Sequence, residues 1–431
     1  MRVFLHIFLF LLGIKGFLMA AELKNVEIKG VDIPIIYEQN IQLPLFYVQI
    51  IFKGAGGISN KGLYGLSDLT SSILNEGTKE LGVTKFSQKL EEKALSLEVE
   101  SRFETMSFTL SGMKKESQAG FRLLKSLLQD PNFTQVTLEK VKETALTSLL
   151  EKESDFDYQA NRALNAMIFK DSLLEYPLSG TKESIQKITL KNIQDFYQTF
   201  INLKSVIVIA GGDIDFLTIT QSLNDVLGGL PEGKEVQIKP IKVHRDEGYK
   251  RQVKDTKQAY IYFGAPLEVK DIQKEIARVK VASFVLGGSG FGSRMMEEIR
   301  VKRGLAYSAV MHLNAGQTIS YAQGYLQTSL DNEKEAKSIV REVIKEFIQK
   351  GITQQELQEA KQYLLGSEPL RNETLSQRLN AAFNNYYRGL PLDFNHKVLQ
   401  EIANLKLEDV NAYIKNHQEI SALTFSVVSA D

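Results

Sequence analysis

Residues 287–308 read GGSGFGSRMMEEIRVKRGLAYS and bring glycines, cations and a tyrosine into one short stretch. A glycine-rich start can cradle a phosphate on backbone N–H groups. Here the spacing is neither Gly-x-Gly-x-x-Gly nor a Gly-Lys-Ser/Thr loop, and no acid is placed for a ribose. The simpler reading is a flexible turn, then a short helix from Arg294 to about Arg303, with Gly304 as its C-cap. Arg300, Lys302 and Arg303 would sit at the negative end of that helix, and Tyr307 would start a strand.

A second stretch, GLYGLSDLTSSILNEGT at 62–78, follows an apolar run at the point where a catalytic helix could begin. It holds no histidine, and its acids are Asp68 and Glu76. The chain has five histidines, His6, His244, His312, His396 and His417, and no two lie within four residues of each other. No local His-x-x-x-His or His-x-x-Glu-His metal motif can therefore form. His312 falls in a β-like run and reads as a strand residue; His244, His396 and His417 read as surface positions. The absence of cysteine excludes disulfides, thiolate metal sites and a cysteine nucleophile.

The elements around these stretches come from a chain of 431 residues, enough for two domains of about 200. Its 43% apolar and 24% charged residues are those of a globular protein. Lys+Arg and Asp+Glu both number 52, which argues against a nucleic-acid binder. The N-terminus, MRVFLHIFLFLLGIKGFLMAAEL, has a basic Arg2, an apolar segment and small residues Ala20 and Ala21. It reads as a signal peptide over 1–20, which implies a periplasmic or secreted protein. His6 and Lys15 interrupt the run, so no stable membrane span is expected after cleavage.

The chain also repeats itself. LKNIQDFY at 190–197 matches LEDVNAYI at 407–414, and VIVIAGGDI at 206–214 matches LTFSVVSAD at 423–431. FTQVTLEKVKETAL at 133–146 matches ITQQELQEAKQYLL at 352–365. Three blocks in one order at nearly one spacing predict two similar domains, 22–227 and 249–431, joined by a Gly/Pro/charge-rich linker at 228–248. Within each, strand-like runs (45–56 and 258–267; then 97–112 and 320–330) alternate with helical patterns such as Phe121, Leu124, Leu127 and Leu128. The fold class expected is α+β: two homologous sandwich domains, each an antiparallel-type sheet with helices on one face. The stretch 371–389 reads as an amphipathic helix used in packing.

The repeat, the linker, AGGDI and above all EEIRVKRGLAYS resemble the M16 metallopeptidases, the family of pitrilysin, insulin-degrading enzyme and the mitochondrial processing peptidase, over nearly the whole mature chain. In that family an arginine and a tyrosine seven positions later form a pair in the second half; they match Arg300 and Tyr307 here. The family's first half carries His-x-x-Glu-His after a Gly-Leu, with a further glutamate downstream, and this set holds zinc. The resemblance puts Gly65, Asp68 and Leu69 at the three motif positions and Ser148 near the distal glutamate, where a slip of three residues would give Ala145. None of these sets can hold a four-coordinate zinc.

The resemblance thus implies a chain without its own cofactor. Some family members work as pairs, one bearing zinc and the other the Arg/Tyr pair. On that pattern this chain would be the second kind, forming half of a clamshell with a zinc-bearing homologue in a heterodimer. Arg300 and Tyr307 would stabilise the charge that develops on a scissile carbonyl, on peptides or unfolded segments added as a strand to a sheet edge. The alternative is a catalytically inert structural or peptide-binding homologue.

Overall fold

The computed structural model describes residues 21–431; the expected signal peptide, 1–20, lies outside the described residues. Among the described residues, eleven strands form two sheets. The first contains β1 (Glu22–Ile28), β2 (Val31–Gln39), β3 (Leu45–Lys53), β4 (Ser96–Ser101), β5 (Thr105–Met113) and β6 (Val206–Gly212), in the spatial order β1-β2-β6-β3-β5-β4. The second contains β7 (Tyr249–Val253), β8 (Gln258–Pro266), β9 (Ala306–Asn314), β10 (Tyr321–Ser329) and β11 (Thr424–Ser429), in the order β7-β11-β8-β10-β9. With β1 set aside, the two orders match strand for strand. In each sheet the last strand in sequence inserts beside the first of the matched five as the one parallel neighbour, and the other pairs are antiparallel. Insertion between neighbours buries all seven residues of β6 and all six of β11, which explains their unbroken apolar runs.

Helices α1 (Leu66–Leu74), α2 (Gly82–Glu91), α3 (Ser117–Gln129), α4 (Gln135–Lys152), α5 (Phe156–Ile168), α6 (Lys182–Lys187), α7 (Leu190–Phe200) and α8 (Phe216–Leu227) accompany the first sheet in sequence. Helices α9 (Ile272–Ser283), α10 (Arg294–Met296), α11 (Glu333–Lys350), α12 (Gln354–Gly366), α13 (Glu368–Arg371), α14 (Leu375–Tyr387), α15 (Phe394–Asn404) and α16 (Leu407–Asn416) accompany the second. The repeated blocks fall on equivalent elements: α7 with α16, β6 with β11, and α4 with α12. Thr134 and Thr353 cap the last pair in the same way, each accepting a backbone N–H three residues on. The apolar positions Phe121, Leu124, Leu127 and Leu128 of α3 are all buried.

The expected α+β sandwich holds, with one amendment. Helices do crowd one face of each sheet, but the second face is covered by a single helix from the other unit. α5 crosses to pack Ala160, Leu164 and Ile168 on Tyr262 and Val428 of the second sheet. α14 crosses back and packs Leu379 and Ala382 on Ile36, Ile51 and Ile209 of the first. Both faces of the central strands are apolar, and each such side chain gains roughly 1.5–3 kcal/mol from burial. The helix expected at 371–389 is therefore a packing element, as read, but it packs between units. Arg378 on α14 clamps this contact through Glu38, whose side chain is 2% exposed, at 2.5 and 3.0 Å. Two finer expectations differ. The run 97–112 is a hairpin, β4 turning into β5, and 22–39 supplies two further strands. The connecting segment 232–246 has no regular structure and is pinned at points: Val236 against Gly54, and the Ile241 and His244 N–H groups on the Thr318 and Ile168 carbonyls at 2.7 and 2.8 Å.

Candidate functional site

The first stretch of interest forms α1, and its chemistry is that of a core helix. Gly65 is the residue before the helix, with φ +92°. A Cβ there would stand 2.5 Å from the Cδ1 of Ile185, so only glycine fits both the backbone angle and the space. Leu69 is 1% exposed, and Leu66, Ile73 and Leu74 join it in the core of the first unit. Asp68 lies in the first turn; burial pushes its carboxyl above the ordinary range, and Lys152 offsets this only in part. Glu76 is taken by Lys140 at 2.6 Å. Ser148 and Ala145 are half-buried on α4.

Gly65, Asp68, Leu69 and Ser148 offer one carboxylate, one hydroxyl, one alkyl group and a bare backbone. They do not fit a zinc ion. Among the described residues no group of three or more His, Cys, Asp or Glu side chains is placed to hold a metal. The helix keeps a structural task. Asn75, which follows it, accepts the Val99 N–H at 2.9 Å and donates to the Val99 carbonyl at 2.8 Å, bracing the edge strand β4.

The second stretch is built differently. Ser293 caps α10 by accepting the Met296 N–H. The expected helix to Arg303 is regular only over Arg294–Met296; the next turn is widened, the Lys302 N–H reaching back five residues to Glu297 at 3.0 Å. Gly304, at φ +62°, then closes the helix, with its own N–H on Arg300 and that of Leu305 on Ile299, both at 2.9 Å. This is the C-cap read from the sequence. The cations, however, do more than face the dipole. Arg294 forks onto Glu356 at 2.7 and 2.8 Å, while Lys302 and Arg303 share Glu298 at 2.5 and 2.6 Å. Arg300 alone of the four has no side-chain hydrogen bond or ion pair among the described residues. Its guanidinium carbon instead lies 4.5 Å from the centroid of the Phe291 ring and 4.4 Å from that of Tyr307.

Tyr307 is brought there by a bulge. On β9 and β10, Ala306 pairs with Thr328 and Ala309 with Leu326, so Tyr307 and Ser308 together oppose the single residue Gln327. The extra residue lets both Ala306 and Ala309 point into the core, and it turns Tyr307 outward to 82% exposure. Beside the ring lies a cavity of about 330 Å³, lined by uncharged groups that include Gln258, Ser308, Tyr325, Gln327 and Asn332.

β9 is an edge strand, but its edge is closed. Ser283 Oγ accepts the Leu313 N–H at 3.0 Å, and Met296 Sδ accepts that of Ala309 at 3.3 Å. Between them Gly287 lies so close that a Cβ would stand 2.2 Å from the Met311 nitrogen. An extended peptide cannot pair along Ala309–Leu313 of this edge. Phe291, an aromatic between two glycines of an exposed turn, joins the Arg300 and Tyr307 cluster. His417 is not a surface position: its ring is mostly buried against Tyr413, with Nδ1 2.7 Å from Glu419.

Known proteins share the sequence pattern and the fold of this chain. Residues 52–182 match the insulinase family of M16 peptidases, and residues 187–364 match the peptidase M16 inactive domain. A Helicobacter pylori protein described as the non-peptidase homolog YmxG is 45% identical over 97% of this chain and 97% of its own. The fold matches a Pseudomonas fluorescens M16 inactive domain with a TM-score of 0.85, at 21% identity, over 95% of this chain and 98% of that one. It also matches the Escherichia coli periplasmic protease PqqL with a TM-score of 0.77, at 13% identity, over 95% of this chain but 47% of PqqL. This chain belongs to the M16 peptidase family, and its described residues carry no zinc-binding set.

Proposed function

We propose that this chain is the zinc-less subunit of an exported M16 peptidase, with 22–227 and 249–431 as its two units and 228–248 as the connector. It would pair with a homologue that bears an intact His-x-x-Glu-His and would contribute Arg300 and Tyr307 to work on peptides or unfolded segments. One observation carries the reading: Arg300 is the unpaired cation of its segment, held against an exposed tyrosine, in a chain whose described residues place no group of three metal-ligating side chains together. A guanidinium with no protein partner keeps its N–H donors for a ligand. The Tyr307 hydroxyl adds an O–H donor beside it. Together they can hydrogen-bond a peptide carbonyl as negative charge develops on its oxygen, and losing one such donor typically costs about 10²–10³-fold in rate. The metal-bound water would be supplied by the partner. In PqqL the matched part is accompanied by a further stretch of similar length, which favours a working unit larger than this chain.

The second reading is an inert structural or peptide-binding homologue. The description of the H. pylori relative as a non-peptidase homolog favours it. The two separate on co-purification with a zinc-bearing M16 homologue from the same source, followed by metal analysis and peptide cleavage by each chain and by the mixture. The proposed subunit gives no cleavage alone and raises that of its partner. A stable chain that neither binds the partner nor changes its activity sinks the first reading.

A further inference from the structure

We propose that Phe291 is a third member of this site, a positioning residue that holds the Arg300 guanidinium between two rings. The inference rests on the functional reading above. Phe291 stands between Gly290 and Gly292 in an exposed turn and is itself 70% exposed. A phenyl ring in such a turn gains little from burial, so its place needs another cause. That cause is the contact with Arg300, 4.5 Å from the ring centroid and matched on the other side by Tyr307 at 4.4 Å. A long arginine side chain at the surface is ordinarily free to rotate, and fixing it costs rotamer entropy. Two aromatic contacts set the side chain before a ligand arrives and leave its N–H donors unused. Phe291 itself offers no donor, so it acts on a carbonyl only through Arg300.

The test is a double-substitution cycle in the complex with the zinc-bearing partner, measured on labelled casein, an unfolded substrate. Phe291→Leu keeps bulk without the ring face and is expected to lower kcat/KM about two- to five-fold, the range one exposed cation–π contact carries. Phe291→Trp is expected to restore it. In an Arg300→Ala background Phe291→Leu is expected to have no further effect. An undiminished effect of Phe291→Leu in that background overturns the proposal, because Phe291 would then touch substrate independently. So does full activity of Phe291→Leu in a complex that Arg300→Ala impairs. A complex unaffected by Arg300→Ala overturns the role assigned to Arg300 itself, and the role of Phe291 with it.

Discussion

Rebuilding the family's zinc motif in this chain by Gly65→His, Asp68→Glu and Leu69→His is expected to destabilise the first unit rather than create a metal site. Leu69 is 1% exposed, so its replacement forfeits roughly 1.5–3 kcal/mol of burial. Placing an unpartnered imidazole in the core costs roughly 1–3 kcal/mol more. At Gly65 a side chain must adopt φ +92° and displace Ile185, whose Cδ1 lies 2.5 Å from the Cβ position; the backbone term alone is roughly 1–2 kcal/mol. The sum is of order 5 kcal/mol, a large share of a typical total stability. For a unit of this size it corresponds to a Tm lowered by roughly 10–20 °C. Thermal melts followed by far-UV circular dichroism, with metal content after dialysis against zinc, measure both outcomes. A triple variant that melts with the parent and retains one equivalent of zinc would refute the reasoning. The motif positions would then be adaptable rather than committed to the core.

Two further expectations concern stability. Asp68→Asn should raise the Tm at neutral pH, because the carboxyl is pushed above its unfolded value of 3.8 by burial. A raised carboxyl destabilises the fold when ionised, so the gain should be full above the folded value and vanish as the pH falls below the unfolded one; a Tm difference independent of pH would contradict this. Arg378→Ala should cost roughly 3–5 kcal/mol, since it leaves Glu38 buried and unpaired between the units. A second change, Glu38→Leu, should recover most of that loss in urea unfolding, and no recovery would show that the ion pair is not what couples α14 to the first sheet.

The legible part of this chain was what local pattern encodes. The three repeated blocks fixed equivalent elements, the Gly304 cap was readable from its place after a cationic turn, and the loss of ligands at Gly65 and Leu69 needed only the residue types. The hairpin at 97–112 was not legible because its turn, Arg102–Glu104, has no glycine, proline or asparagine to mark it. The crossing of α5 and α14 was hidden for another reason. An amphipathic helix states that it has an apolar face, not which sheet receives it. The meeting of Arg300 with an exposed Tyr307 was hidden because it depends on register: a bulge opposite Gln327 turns Tyr307 out, and a widened turn brings Arg300 to it.

The central claim is that Arg300 and Tyr307 act on the substrate of a two-chain peptidase. The most direct measurement is kcat/KM of the reconstituted complex carrying Arg300→Ala and Tyr307→Phe together, with partner affinity and thermal stability checked on the same sample. The account predicts an intact complex whose activity falls by at least about 10²-fold. An intact complex with full activity would contradict it and leave the chain a scaffold.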